Sequence, residues 1–180
     1  MRHVASRSSD VLVIGIDANA DGLRDTSRRF AAKPARGGLP NALLGRLALA
    51  DAPGQLAGLA NTLTVLLPWG SLLGAVARPD AAALGTLRGL CVSTAELRVV
   101  FGYGPRTDGA AIRDLALPSL DDPATLPTLE RAYRDAGFAV TARLVDTAEV
   151  RELPTTWAKR LAYSGHERRF VEIAGRGNQP

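Results

Sequence analysis

Apolar positions come in short blocks separated by helical spacings. Val11 to Ile16 is a continuous, largely β-branched run leading into Asp17, and Ala20 to Ala32 follows with the periodicity of a helix. Ala42 to Leu47 reads as a second strand and Gln55 to Ala60 as a short helix. Thr62 to Leu67 reads as a third strand, closed by Pro68-Trp69-Gly70. This alternation predicts an α/β fold with a parallel sheet and helical crossovers. Pro79-Asp80 opens a helix to about Leu90, with proline tolerated in a first turn, and Leu97 to Tyr103 is the next strand. Residues 104–127 interrupt the rhythm with prolines, glycines and an Asp121-Asp122-Pro123 turn, which predicts a long loop or a small inserted element. Beyond it, a helix over Leu126 to Ala136 stops at Gly137, and Phe138 to Leu144 alternates as a strand. A helix over Thr156 to Ala162 and a strand over Arg169 to Ala174 complete the pattern, with a frayed tail from Gly175 to Pro180.

With 46% hydrophobic residues in 180, the chain can bury one core, so a single domain over residues 1–180 is expected, with the insertion at 104–127. The lone cysteine, Cys91, offers neither a disulfide nor a cysteine-rich metal site, which suits a reducing cytoplasm. No apolar run is long enough to cross a bilayer, and Met1 to Asp10 is polar and basic where a signal peptide would be apolar. A soluble monomer away from membranes is the expectation. The formal charge of +4 permits a polyanionic partner without requiring one.

Ligands of open α/β sheets gather at the carboxyl ends of strands, which directs attention to Asp17, to Ala50-Asp51 and to residues 67–71. A carboxylate has only acceptors, so Asp17 could take both hydroxyls of a nucleoside ribose. Equally, Asp17 or Asn19 could cap the helix that follows. Trp69, between proline and glycine, is poorly placed for a core residue and suggests an exposed stacking surface. Trp157 is the other tryptophan; two indoles could hold one base between them, or each could cover an apolar edge. Basic residues cluster at Arg24, Arg28, Arg29, Lys33 and Arg36, and again at Lys159, Arg160, Arg168 and Arg169. Such clusters suit phosphate contacts, although a solvated helix face is the plainer reading, with Asp25 spaced to pair with Arg28 or Arg29.

No metal cluster, general base or nucleophilic triad stands out. His3 and His166 read as surface histidines, and Asp121 and Asp122 as turn formers. A nicotinamide-dependent oxidoreductase could also end a strand in an acid, but it would carry a glycine fingerprint before that strand, and none is present.

Four blocks carry a resemblance to a known family. They are Gly15-Ile16-Asp17, the run from Lys33 to Asn41 (KPARGGLPN), the run from Leu67 to Leu73 (LPWGSLL), and the run from Thr155 to Ala162 (TTWAKRLA). Their order and spacing resemble the aminoglycoside-resistance 16S rRNA adenine-N1 methyltransferases of the kanamycin and apramycin resistance type. The resemblance implies a class I S-adenosylmethionine-dependent methyltransferase fold. It also implies methylation at N1 of an adenine in the decoding site of the small ribosomal subunit, and resistance to drugs that bind there. On that resemblance Asp17, with Ala18 beside it, binds the cofactor ribose, Leu49 and Ala50 lie by its adenine, and Leu66, Ser71 and Thr155 line its methionine end. Trp69 and Trp157 match the pair that holds the flipped base, so they are the expected catalytic residues. Arg28, Arg29, Lys33, Arg36, Arg113, Lys159, Arg160 and Arg168 match the residues that dock on rRNA. The alternative reading is a non-catalytic RNA-binding remnant that binds no cofactor.

The chain also departs from the pattern. The family often has a glutamate where Ala50 stands, with Asp51 the nearest acid here, and it begins with a strand and an acidic glycine-rich loop that nothing before Val11 supplies. That strand would lie between those at Val11 to Ile16 and Thr62 to Leu67. Strands are spaced about 4.8 Å apart, so its absence predicts a gap of roughly twice that or a re-pairing of the two neighbours. The expectation is that residue 1 is internal to a longer reading frame.

Overall fold

The computed structural model describes residues 1–162 and 168–178; His166 lies outside them. The chain divides into two compact units, Met1–Ala52 and Pro53–Pro180.

The first unit contains helix α1 (Arg2–Ala5), strand β1 (Val13–Asp17), helix α2 (Asp21–Phe30) and strand β2 (Ala42–Arg46). β1 and β2 pair in parallel, from Val13 opposite Ala42 to Asp17 opposite Arg46. Ala5, Phe30 and Ala42 form a small buried cluster, packed by Met1, Val13, Leu39 and Leu44. The Asn41 side-chain amide donates to the carbonyls of Ala5, Ser8 and Val11 at 2.8 to 3.0 Å, which latches the opening segment to the start of β2. Only one side of this sheet is covered. Leu12, Ile14, Ile16 and Leu43 are exposed.

The second unit contains β3 (Ala60–Leu66), α3 (Gly70–Ala77), α4 (Ala81–Gly89), β4 (Cys91–Tyr103) and α5 (Pro105–Asp114). It continues with α6 (Thr125–Asp135), β5 (Phe138–Val145), α7 (Thr147–Arg151), α8 (Thr156–Ala162) and β6 (Arg169–Gly177). Its four strands are ordered β3-β4-β6-β5. β3 runs parallel to β4, but β6 lies antiparallel to both β4 and β5. This corrects the expected parallel sheet: alternating strands and helices fix the spacing of elements along a chain, and the direction of the last strand is set by tertiary pairing. The two sheets, β1-β2 and β3-β4-β6-β5, belong one to each unit. Residues 175–177, expected to fray, continue β6, and of the expected loop or small inserted element residues 105–114 are helical.

Period-two alternation gives the larger sheet one strongly apolar face, with Leu97, Val99, Phe101 and Tyr103 of β4 all buried. Buried residues of α3, α4 and α6, including Leu73, Val76, Leu84, Leu87, Leu129 and Tyr133, belong to the same core. The Tyr133 hydroxyl donates to the Val76 carbonyl at 3.3 Å, which joins α6 to α3. Asp80 caps α4 by accepting from the Ala83 amide at 2.9 Å, so the expected helix starts at Ala81 and Pro79 stands before the cap instead of in the first turn.

On the other face, Val100 and Phe170 join Leu67, Val150, Leu153 and Ala158 in a second cluster, so α7 and α8 cover one end of the sheet. The remainder of that face is polar. Glu172 accepts from Arg98 at 2.8 Å and from Arg143 at 2.9 Å.

Candidate functional site

The β3 exit is built on two left-handed residues. Leu67 has φ of 51° and Gly70 a φ of 59°, so the backbone reverses sharply around Pro68-Trp69. Glycine takes such a φ freely, but leucine at this φ costs about 1 to 3 kcal/mol and persists only where the surroundings hold it. Here they do. Leu67 is buried in the second cluster, and its amide donates to the Val100 carbonyl at 2.7 Å. The reversal leaves Trp69, the residue that precedes α3, 56% exposed.

Trp157, in α8, is 45% exposed, while the next residue, Ala158, is fully buried in the cluster that holds Leu67. Thr155 opens that helix by accepting from the Ala158 amide at 2.9 Å. The segments that carry the two tryptophans are therefore anchored in one apolar cluster, and the expectation that Trp69 is exposed is borne out. Leu66 packs against the same cluster, and Ser71 is exposed in the first turn of α3. Leu66, Ser71 and Thr155 thus sit on the segments that flank the tryptophans.

In the first unit, Asp17 ends β1 as expected. Its carboxylate accepts from the Asn19 amide at 2.9 Å, and Asn19 accepts from the Asp21 amide at 3.0 Å. The helix cap of α2 is Ala20, which has no side-chain cap, so Asp17 does not cap α2 in the usual way. Its second carboxylate oxygen has no partner among the described residues, and the side chain is exposed. Ala18 is exposed beside it, and its carbonyl accepts from Arg46 at 3.3 Å. Leu49 and Ala50 lie in a short 3-10 turn, Leu49–Asp51, just beyond β2. A carboxylate with a free oxygen at a strand end, followed by small and apolar residues after the next strand, fits the ribose and adenine of a nucleoside cofactor.

The basic residues divide by how they are held. Arg28 and Arg29, in the last turn of α2, are exposed; Arg28 pairs with Asp25 at 3.8 Å, and Arg29 donates to the Asp25 carbonyl. Lys33 precedes and Arg36 ends a 3-10 turn, Pro34–Arg36, that Gly37 closes at a φ of 82°. Arg113, Lys159 and Arg160 are also exposed. Arg168 differs. Its guanidinium grips Asp108 at 2.9 and 3.0 Å, and the side chain is only 12% exposed, which makes it a much less available cation than Lys159 or Arg160.

Asp108 also accepts from the Gly104 amide at 2.9 Å and from Thr107 at 3.0 Å. Burial pushes its carboxyl up, but the hydrogen bonds from Arg168, Gly104 and Thr107 and the charge of Arg168 outweigh that and hold it below the usual carboxylate range. Sequence reasoning does not find this residue. Asp108 stands in a stretch that reads as a long loop or a small inserted element, 60 positions from its partner, and nothing local signals the pair.

Among the described residues, no His, Cys, Asp and Glu side chains group as a metal site. No described helix is long and apolar enough to cross a membrane.

Comparison with known proteins gives these features a context. The 16S rRNA (adenine(1408)-N(1))-methyltransferase of Escherichia coli is 30% identical over 174 residues, which is 96% of this chain and 79% of that protein. The crystal structure of the aminoglycoside resistance methyltransferase NpmB1 is 38% identical, with a TM-score of 0.79 over 97% of this chain and 80% of that one. A tryptophan-to-alanine mutant of the corresponding Catenulisporales acidiphilia enzyme, solved with cosubstrate SAM, superposes with a TM-score of 0.84 at 30% identity, covering 99% and 80%. The fold is that of an α/β methyltransferase. The NpmA family model, 16S rRNA (adenine(1408)-N(1))-methyltransferase, matches residues 1–176, and the chain belongs to that family of S-adenosylmethionine-dependent enzymes.

Proposed function

We propose that this chain transfers a methyl group from S-adenosylmethionine to N1 of adenine 1408 in 16S rRNA of the small ribosomal subunit, and so confers aminoglycoside resistance. It acts as a monomer in the cytoplasm, as a single methyltransferase domain over residues 1–180. The observation that carries this reading is the pair of exposed indoles, Trp69 and Trp157, on segments anchored in one buried cluster.

The cofactor, when bound, supplies an electrophilic methyl group. The chain's own residues contribute binding and orientation. Asp17 offers its unengaged carboxylate oxygen to the ribose, Leu49 and Ala50 contact the adenine, and Leu66, Ser71 and Thr155 line the methionine end. N1 of an unpaired adenine already has an in-plane lone pair, so catalysis needs positioning more than a general base. N1 is on the pairing edge, which requires the target base to leave its helix. Trp69 and Trp157 hold it by stacking, worth about 1 to 3 kcal/mol per base by truncation. Arg28, Arg29, Lys33, Arg36, Arg113, Lys159 and Arg160 dock on the rRNA backbone, while Arg168, held by Asp108, contributes less to it.

Primer-extension mapping of small subunits incubated with the chain and S-adenosylmethionine tests the proposal. A new stop at adenine 1408 supports it; unmodified subunits, with cofactor binding undetectable by calorimetry, would sink it.

A further inference from the structure

The row of β2 side chains that faces α2 ends unexpectedly. Ala42 and Leu44 pack into the core of the first unit, and by period-two alternation Arg46 continues the same row. On α2, Arg24 and Ser27 belong with it: Ala20, Leu23, Arg24, Ser27, Leu44 and Arg46 line one open surface groove of about 220 Å³. That is several times the share of one water, about 30 Å³. Arg24, Ser27 and Arg46 are exposed, so their polar groups line the open side of the groove, where a solvated ligand can reach them.

Two guanidiniums line this groove. No carboxylate pairs with either of them among the described residues; the ion pair on α2 is made by Arg28. Arg46 uses its Nε on the Ala18 carbonyl, which steadies the group while four of its five N–H donors stay available. Two like charges lining one groove attract an anion between them.

We propose that Arg24, Arg46 and Ser27 form a phosphate site that takes one backbone phosphate of the rRNA. The lining supplies N–H donors and one hydroxyl but no aromatic ring, which suits a tetrahedral oxyanion and not a base. Arg24 stands one helical turn before Arg28, so the site extends the basic row at the end of α2. This inference rests on the rRNA reading above.

The test is binding of the full chain to purified small subunits at several salt concentrations. The double variant Arg24→Ala/Arg46→Ala should bind about a hundredfold more weakly, about tenfold for each guanidinium removed, with a salt slope shallower by about one. Ser27→Ala and Arg46→Lys, which keep the charge, should each lose several-fold. Arg131→Ala/Arg134→Ala, an equal charge loss on exposed positions of α6, should change affinity by less than about threefold. The proposal is overturned if the α2–β2 double variant matches the α6 control, or if both charge-keeping variants bind like wild type. Failure of the wild type to bind small subunits would remove the rRNA reading and this inference with it. Wild-type binding that responds to charge reversal at Arg28 and Arg29 but not to Arg24 and Arg46 would remove the inference alone. Circular dichroism melts of each variant separate lost binding from lost folding.

Discussion

Leu67 and Ala158 belong to one buried cluster, and an exposed tryptophan stands two residues after the first and one residue before the second. The sheet end and α8 are thereby tied to common packing, while the indoles remain available to a ligand.

That division of labour predicts the behaviour of the tryptophans. Trp157→Ala and Trp69→Ala should each abolish detectable methylation while leaving small-subunit affinity within a few-fold of wild type, since backbone contacts dominate docking. Radiolabelled methyl transfer and filter binding on the same preparations check it. Wild-type turnover from either variant would refute the role.

Charge reversal at Arg28 and Arg29 should weaken docking in a salt-dependent manner. Each phosphate left without its cation lowers the salt slope by about one, and affinity converges with wild type as salt rises. Small-subunit binding measured across a salt series reads this directly, and variants with the wild-type slope would remove these two residues from the interface.

Asp108 and Arg168 predict a stability effect with a defined pH dependence. Removing one partner of a buried pair leaves the other uncompensated, so Asp108→Asn should cost about 3 kcal/mol in urea unfolding. The folded carboxyl titrates below its unfolded value of about 3.9. Its contribution is thus complete above that value and is lost as pH falls through the lower, folded one. Wild type and Asp108→Asn should differ most near neutrality and converge in acid. A gap in melting temperature that stays constant down to about pH 2 would contradict the assignment.

Backbone strain at Leu67 makes an unusual ordering testable. Leu67→Ala should destabilise by about 2 to 5 kcal/mol through the cavity it opens. Leu67→Gly loses at least as much packing but recovers about 1 to 2 kcal/mol from the left-handed backbone. Glycine should therefore be no worse than alanine, the reverse of the order usual inside regular structure. Urea midpoints rank the two, and a glycine variant clearly less stable than the alanine variant would show that the strain is absent.

Several elements are legible in the sequence because their signals are local. The β-branched run before Asp17 and the Pro79-Asp80 start require no partner to be read, and the proline and glycine around Trp69 already argue for its exposure. α3 is harder. Its residues, GSLLGAVA, are small or apolar almost throughout, so it has little polar face to reveal a helical period. α5 starts with Pro105 at a tolerated first-turn position but contains Gly109 and a kink at Asp108, which disguise it as a loop. α7 carries a readable signal, the capping box of Asp146 and Glu149, which form reciprocal bonds at 2.8 and 3.1 Å. Strand direction is not readable, because period-two alternation looks the same whichever way a strand runs. The family blocks, for their part, point to Asp17 and the tryptophans but not to Asp108 or Arg46, whose partners are settled only once distant segments meet.

The latch made by Asn41 bears on how the molecule fluctuates. Only three side chains are buried in the cluster beside it, so little apolar area resists opening, and the three carbonyls it binds must let go together. Breathing motions should therefore begin in residues 1–52, where backbone amides will trade hydrogen for deuterium long before those of β4 and β6.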